Sequence, residues 1–325
     1  MMNTCRTIGV LMFLLLAGST LGYALDIRVA HFTDKAFQPT RIEGLQFPKT
    51  LVDATGDQYL LEQPPQRIVS VTLGADEILS ALVDSRRIVG VTYLADDRSV
   101  SNIPQTYPDN IRRIRGDTEE ILALEPDLVF IASYTRAETV HQLLNAGVPV
   151  VRLAGHSSYA EIETNIRLVA QATGSEQQAE ELLAATRQRA DLVKTRVQER
   201  PRPRVLFYNL NGYTAGSGTL VDEMIEMAGG YNVAREAGLT GNQKIGQEMA
   251  IGLEPDIILL THWSTDDAPP PSAELVKNPN WQQVPAIQNK RVYDLRGYWV
   301  LSVSHYSWEG ITQIATRLHP EVFNP

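Results

Sequence analysis

One cysteine, Cys5, is present in 325 residues, and none follows it. From residue 6 onward that excludes a disulfide, a thiolate nucleophile and a Cys-ligated metal centre, so stability must come from ordinary packing. Positive charge is also scarce. There are 29 Lys and Arg against 38 Asp and Glu, a formal net charge of −9. No basic stripe exists to neutralise phosphates, which excludes nucleic acid as a partner. Catalytic signatures are missing too: there is no P-loop, no G-x-G-x-x-G after a strand and no H-E-x-x-H, and Thr214 replaces the first glycine that a nucleophile elbow around Ser217 would need. His156, His262 and His305 follow strands or open loops, but no spacing unites them, and no metal site is expected. The apolar run Ile8 to Ala17 is too short for a comfortable membrane span. With Arg6 before it and Gly22-Tyr23-Ala24 after it, it reads as a cleavable signal peptide over residues 1–24.

What the chain does have is an internal repeat. Residues 118–133 read TEEILALEPDLVFIAS and residues 247–262 read QEMAIGLEPDIILLTH. In each, a glutamate (Glu119, Glu248) precedes by six residues a Pro-Asp pair and an apolar strand-like run. A second correspondence joins Asp76-Glu77-Ile78-Leu79 to Asp222-Glu223-Met224-Ile225. A unit repeated once predicts two lobes of one architecture with a cleft between them, a common place for a ligand.

The pattern between these landmarks alternates. Phe47 to Asp53, Gly56-Asp57 and Tyr59 to Leu61 read as a hairpin within an N-terminal arm, 26–63. Strands at Arg67–Leu73, Ile88–Thr92, Leu128–Ala132 and Val148–Leu153 alternate with helical stretches, the mark of βαβ units around a parallel sheet. Arg204–Asn209, Ile257–Thr261 and Arg291–Asp294 repeat the rhythm, with Gly212 to Gly218 expected as a tight turn. Between them Ser175 and Gln178 read as a capping box. They open a helix with small or apolar residues at Ala179, Leu182, Leu183, Thr186, Ala190, Val193 and Val197. The expected fold is α/β: two Rossmann-like lobes, each with a parallel-type sheet, joined by one long α-helix. The expected boundaries are an N-terminal lobe at 25–174, a bridging helix at 175–199 and a C-terminal lobe at 200–325.

Aromatic residues gather just beyond the strands, where open parallel sheets bind ligands. Tyr93, Tyr134, Tyr208, Tyr213, Trp263, Tyr298 and Trp299 offer flat faces with polar tips, and Arg296 offers an anion partner, with Arg98 and Arg136 nearby. These eight, Arg296 included, are the candidate ligand-binding residues. Glu119 and Glu248 each sit in a first helical turn, where a carboxylate complements the helix dipole. One per lobe, they also form a matched pair suited to a symmetric partner.

The hairpin FPKTLVDATGDQYLL, the segments PPQRIVSVTLGADEILSALV and GTLVDEMIEMAGGYNVA, and the two repeat units resemble the periplasmic substrate-binding proteins of ABC importers for iron–siderophore complexes, haem and cobalamin, over about residues 47–320. The resemblance implies a non-enzymatic, monomeric capture protein without a covalent cofactor. It implies limited lobe closure, a large metal chelate in the cleft, and Glu119 and Glu248 as salt-bridge partners of arginines on a permease dimer at the inner membrane. An iron–siderophore complex is the first expectation, with cobalamin, haem or a bare metal ion as alternatives. With no cysteine after the apolar run to carry a lipid, the resemblance implies the periplasm. A redox enzyme of similar build would need thiolates, and a sensor domain would use the same cleft as a transporter.

Overall fold

The computed structural model describes residues 38–263 and 269–323. The expected signal peptide lies outside the described residues. Two parallel sheets carry the fold. In the first, strand Ile68–Ser70 lies between Ile88–Thr92 and Leu128–Ile131, with Arg112–Ile114 and Val150–Arg152 outermost. The second sheet runs Tyr231–Asn232, Arg204–Phe207, Ile257–His262, Val292–Arg296, the same order around its own first strand. Helices cover both faces, which is why Leu128–Ile131 is buried at every position. The result is a two-lobed α/β fold.

The sequence repeat is a repeat of side-chain bonding. Both short helices, Thr118–Leu122 and Gln247–Gly252, are followed by a glutamate in the left-handed region, Glu125 and Glu254, each at φ 46°. The arginine at the start of each lobe's first strand then reaches back to a carbonyl left open at the helix end. Arg67 Nη2 donates to Leu124 O at 2.6 Å and Arg204 Nη2 to Leu253 O at 2.9 Å. Asp127 accepts the Arg67 amide at 2.9 Å, and Asp256 accepts that of Arg204 at 2.9 Å. The Pro-Asp pair therefore fixes each short helix against the first strand of its lobe.

The helix Glu176–Val197 stands between the two sheets in the chain, about 33 Å long at 1.5 Å per residue. Its buried stripe, Ala179, Leu183, Thr186, Ala190, Val193 and Val197, steps by fours and threes. Ion pairs tie its exposed faces to both sides: Arg167–Glu180 at 2.7 Å toward the first lobe, and Arg189–Glu309 at 2.8 Å toward the helix Ser307–Leu318 of the second. Its start is held by Lys49, a hairpin residue 1% exposed, which pairs with Glu176 and donates to Gln171 O at 2.8 Å. Ser175 makes no side-chain cap bond. Its hydroxyl pairs with Thr173 Oγ1 at 2.8 Å instead, so the expected capping box does not form.

The stretch Gly212 to Gly218 also departs from expectation. Tyr213–Ala215 is a strand paired antiparallel with Asn242–Lys244. Gly216 then passes so close to Leu239 that a Cβ would lie 2.2 Å from its carbonyl oxygen. Glycine is required there for backbone contact.

Candidate ligand site between the lobes

In each sheet the chain order reverses between the first strand and the strand of the repeat unit, and ligands bind beyond the carboxyl ends at such switch points. In lobe one Thr72 and Tyr134 flank that point, Thr72 Oγ1 and Tyr134 Oη lying 3.4 Å apart. Tyr134 is 67% exposed and its ring meets His156 edge-on at 6.0 Å. Tyr93 is 41% exposed, with the Arg115 guanidinium 4.8 Å from its ring centre. In lobe two Trp263 lies flat against Gly297, where a Cβ would come within 2.7 Å of the indole. Arg296 ends the edge strand, exposed, its guanidinium 5.9 Å from the Tyr298 ring. Tyr298 meets Trp299 edge-to-face at 5.5 Å.

Arg296, Tyr298 and Trp299 line one cavity of about 960 Å³, together with Arg98 from lobe one and His262 and Arg317 from lobe two. A second cavity of about 530 Å³ shares Arg98, Tyr298 and Trp299. Tyr93, Tyr134, Tyr213 and Trp263 do not line either. Tyr213 is half-buried, with Lys244 Nζ 5.9 Å from its ring. Tyr208 departs from expectation: it is 5% exposed and packs 5.3 Å from Trp281 in the second lobe's core, because the strand pleat turns it inward. Thr72, Arg115, Gln313 and Arg317 also border these faces and were not among the sequence candidates. Arg115 is one residue beyond a strand end, the same signal that marks Tyr93.

The histidines do not gather. Burial, with a smaller push from Arg189, lowers His305 to about 4, and burial lowers His156, so both imidazoles favour the neutral form. Among the described residues no three His, Cys, Asp or Glu side chains form a group that could hold a metal ion.

Among the described residues five bonds cross between the lobes and join the walls of the cleft, one of them from Tyr159 Oη to Ser307 O at 3.1 Å. The buried Glu77 of lobe one accepts Ser302 Oγ at 2.9 Å and Ser304 Oγ at 2.5 Å from lobe two. Asn102 Nδ2, 2.8 Å from Glu77, also donates to Tyr298 O at 2.6 Å. In the opposite sense Glu223 of lobe two accepts the Tyr159 amide of lobe one at 2.9 Å. Burial raises the carboxyl of Glu77 above its usual range, against the pull of these donors. Away from this joint, Glu119 and Glu248 are both exposed and hold no ion pair among the described residues.

The family model described as periplasmic binding protein matches residues 68–298, which take in both sheets, the bridging helix and Arg296. The chain belongs to the periplasmic binding protein family. This binding protein is 26% identical over 306 residues to the uncharacterized ABC transporter substrate-binding lipoprotein YvrC of Bacillus subtilis, covering 89% of this chain and 90% of that one. It is 29% identical over 222 residues to a cobalamin-binding protein of Halobacterium salinarum, covering 66% of this chain and 58% of that one. Among solved structures, the periplasmic haem-binding protein RhuT from Roseiflexus, in apo form, superposes with a TM-score of 0.66 at 27% identity, over 79% of this chain and 99% of that one. The family is a solute-binding component of transport, not an enzyme, and its relatives serve ABC systems.

Proposed function

We propose that this binding protein captures a large metal chelate, first of all an iron–siderophore complex, in the cleft between its lobes and delivers it to an importer permease as a periplasmic monomer. Capture falls to Tyr93, Tyr134, Tyr213, Trp263, Arg296, Tyr298 and Trp299. The observation that carries the reading is the set of aromatic rings beyond the carboxyl ends of both sheets, Tyr93 and Tyr134 exposed and Trp263, Tyr298 and Trp299 half-buried, with Arg98 and Arg296 in no ion pair among the described residues, since flat rings bind a bulky complex and guanidinium forks bind its anionic arms. Glu119 and Glu248 are the docking pegs.

Cobalamin is the second reading, favoured by the cobalamin-binding relative and by the indoles of Trp263 and Trp299 as walls. Quenching of tryptophan fluorescence by ferric siderophores, haemin and cyanocobalamin separates the readings. A ferric siderophore is expected to quench at micromolar concentration or below. Quenching by cyanocobalamin alone would move the assignment to cobalamin, and silence from all three would overturn the chelate reading.

A further inference from the structure

The larger cavity holds more positive charge than its own carboxylates balance. Arg98 comes from the lobe-one loop after Tyr93–Asp96, Arg296 from the end of the edge strand, and Arg317 from the last turn of Ser307–Leu318. None of the three forms an ion pair among the described residues: Arg98 donates to Gln105 Oε1 at 3.1 Å, and Arg296 and Arg317 lie over the rings of Tyr298 and Tyr293 at 5.9 and 5.5 Å. The two acidic residues of the lining are both engaged. Glu309 is paired with Arg189 at 2.8 Å, and Asp294 accepts the Ser272 amide at 2.9 Å together with the Ser272 hydroxyl. The floor is a polar face of one helix, Thr312, Gln313 and Thr316, set by spacings of three and four. Gln313 already spends its oxygen on the Arg296 amide at 3.0 Å, which leaves its NH₂ to donate into the cavity.

Three planar guanidinium groups in no ion pair among the described residues, the Gln313 NH₂ and the Tyr298–Trp299 wall suit an organic polyanion with several carboxylates. At about 960 Å³ the space is large for a lone inorganic oxyanion and in the range of sites for organic ligands. We propose that Arg98, Arg296 and Arg317 form a polycarboxylate subsite at the lobe junction that selects cargo by its negative charge. This deepens the capture reading and rests on it, because Arg296, Tyr298 and Trp299 belong to both. The polycarboxylate is either a free acid or the anionic arm of a chelate, and Arg98 and Arg317 act as specificity residues.

The test titrates the protein with citrate and with ferric citrate, read by tryptophan fluorescence at low and high salt. Arg98→Gln and Arg317→Gln are each expected to weaken binding about tenfold and to flatten its salt dependence, as loss of one charge-assisted contact requires. Arg136→Gln, exposed and outside the cavity, should change nothing. Binding of both probes supports a free acid as the source, and binding of the ferric complex alone supports the arm of a chelate. If neither probe binds, or if both arginine variants stay within about twofold of the parent, the subsite is wrong. Should the earlier chelate panel still quench in that case, the capture reading survives. Should citrate bind through the arginines while every chelate is silent, the subsite stands and the chelate reading falls.

Discussion

Asp76 is fully buried, and its Oδ2 accepts the Thr92 amide at 3.1 Å and the Thr92 hydroxyl at 2.6 Å, while Oδ1 has no partner among the described residues. Its counterpart Asp222 does the same work, accepting Asn232 Nδ2 at 2.9 Å, but also pairs with Arg235 at 2.5 Å. Without such a cation, burial pushes Asp76 up to about 7, the Thr92 hydroxyl opposing it. Between 3.8 and about 7 the folded chain therefore keeps a proton that the unfolded chain releases, and stability falls as pH rises through that window. The slope from one such proton is at most about 1.4 kcal/mol per pH unit. Urea midpoints at pH 5 and pH 8 should differ less for Asp76→Asn than for the parent. Equal differences would mean that this carboxyl is already ionised at pH 5.

Among the elements, the repeated short helices depend on arginines far away in sequence. Arg204→Ala removes the donors to Leu253 O and the ion pair with Glu236 at 2.6 Å. A loss of about 1–2 kcal/mol in denaturant unfolding is expected, and Arg67→Ala should cost a similar amount, since Arg67 donates to two carbonyls, Leu124 O and Glu125 O, where Arg204 has one carbonyl and one ion pair. The cross-lobe bonds belong to the same scale. Glu77→Ala would strand the hydroxyls of Ser302 and Ser304 and the amide of Asn102, costing about 2 kcal/mol or more and loosening the joint. Small-angle scattering should then report a larger radius of gyration than for Glu223→Ala, whose half-exposed carboxylate holds one backbone amide. An unchanged radius for Glu77→Ala would show that packing alone sets the angle between the lobes. The hairpin was legible because alternation and Gly56-Asp57 act locally. The strand Tyr213–Ala215 was not, because its partner Asn242–Lys244 lies more than two dozen residues on and leaves no periodic trace.

For the whole molecule, the two lobes share a continuous hydrophobic core that includes the bridging stripe of Ala179, Leu183, Ala190 and Val193. A stiff helix and a bonded joint favour small movements on ligand capture over wide hinge closure. Charge reversal of both proposed docking residues, Glu119→Lys with Glu248→Lys, is expected to leave ligand affinity within about twofold while abolishing uptake in cells, because exposed charges away from the cleft act on partner recognition. Uptake at the parental rate would remove the docking role. The sequence by itself determined that there are two like lobes, that each holds a short helix ahead of a Pro-Asp pair, and which stripe of the long helix is buried. Hydrophobic periodicity and Pro-Asp punctuation are local, so they survive without coordinates. Only the tertiary structure decided that Tyr208 faces a core, that Glu77 binds across the joint, and that Arg98, Arg296 and Arg317 share one cavity, because those facts depend on pleat direction and on how distant segments pack.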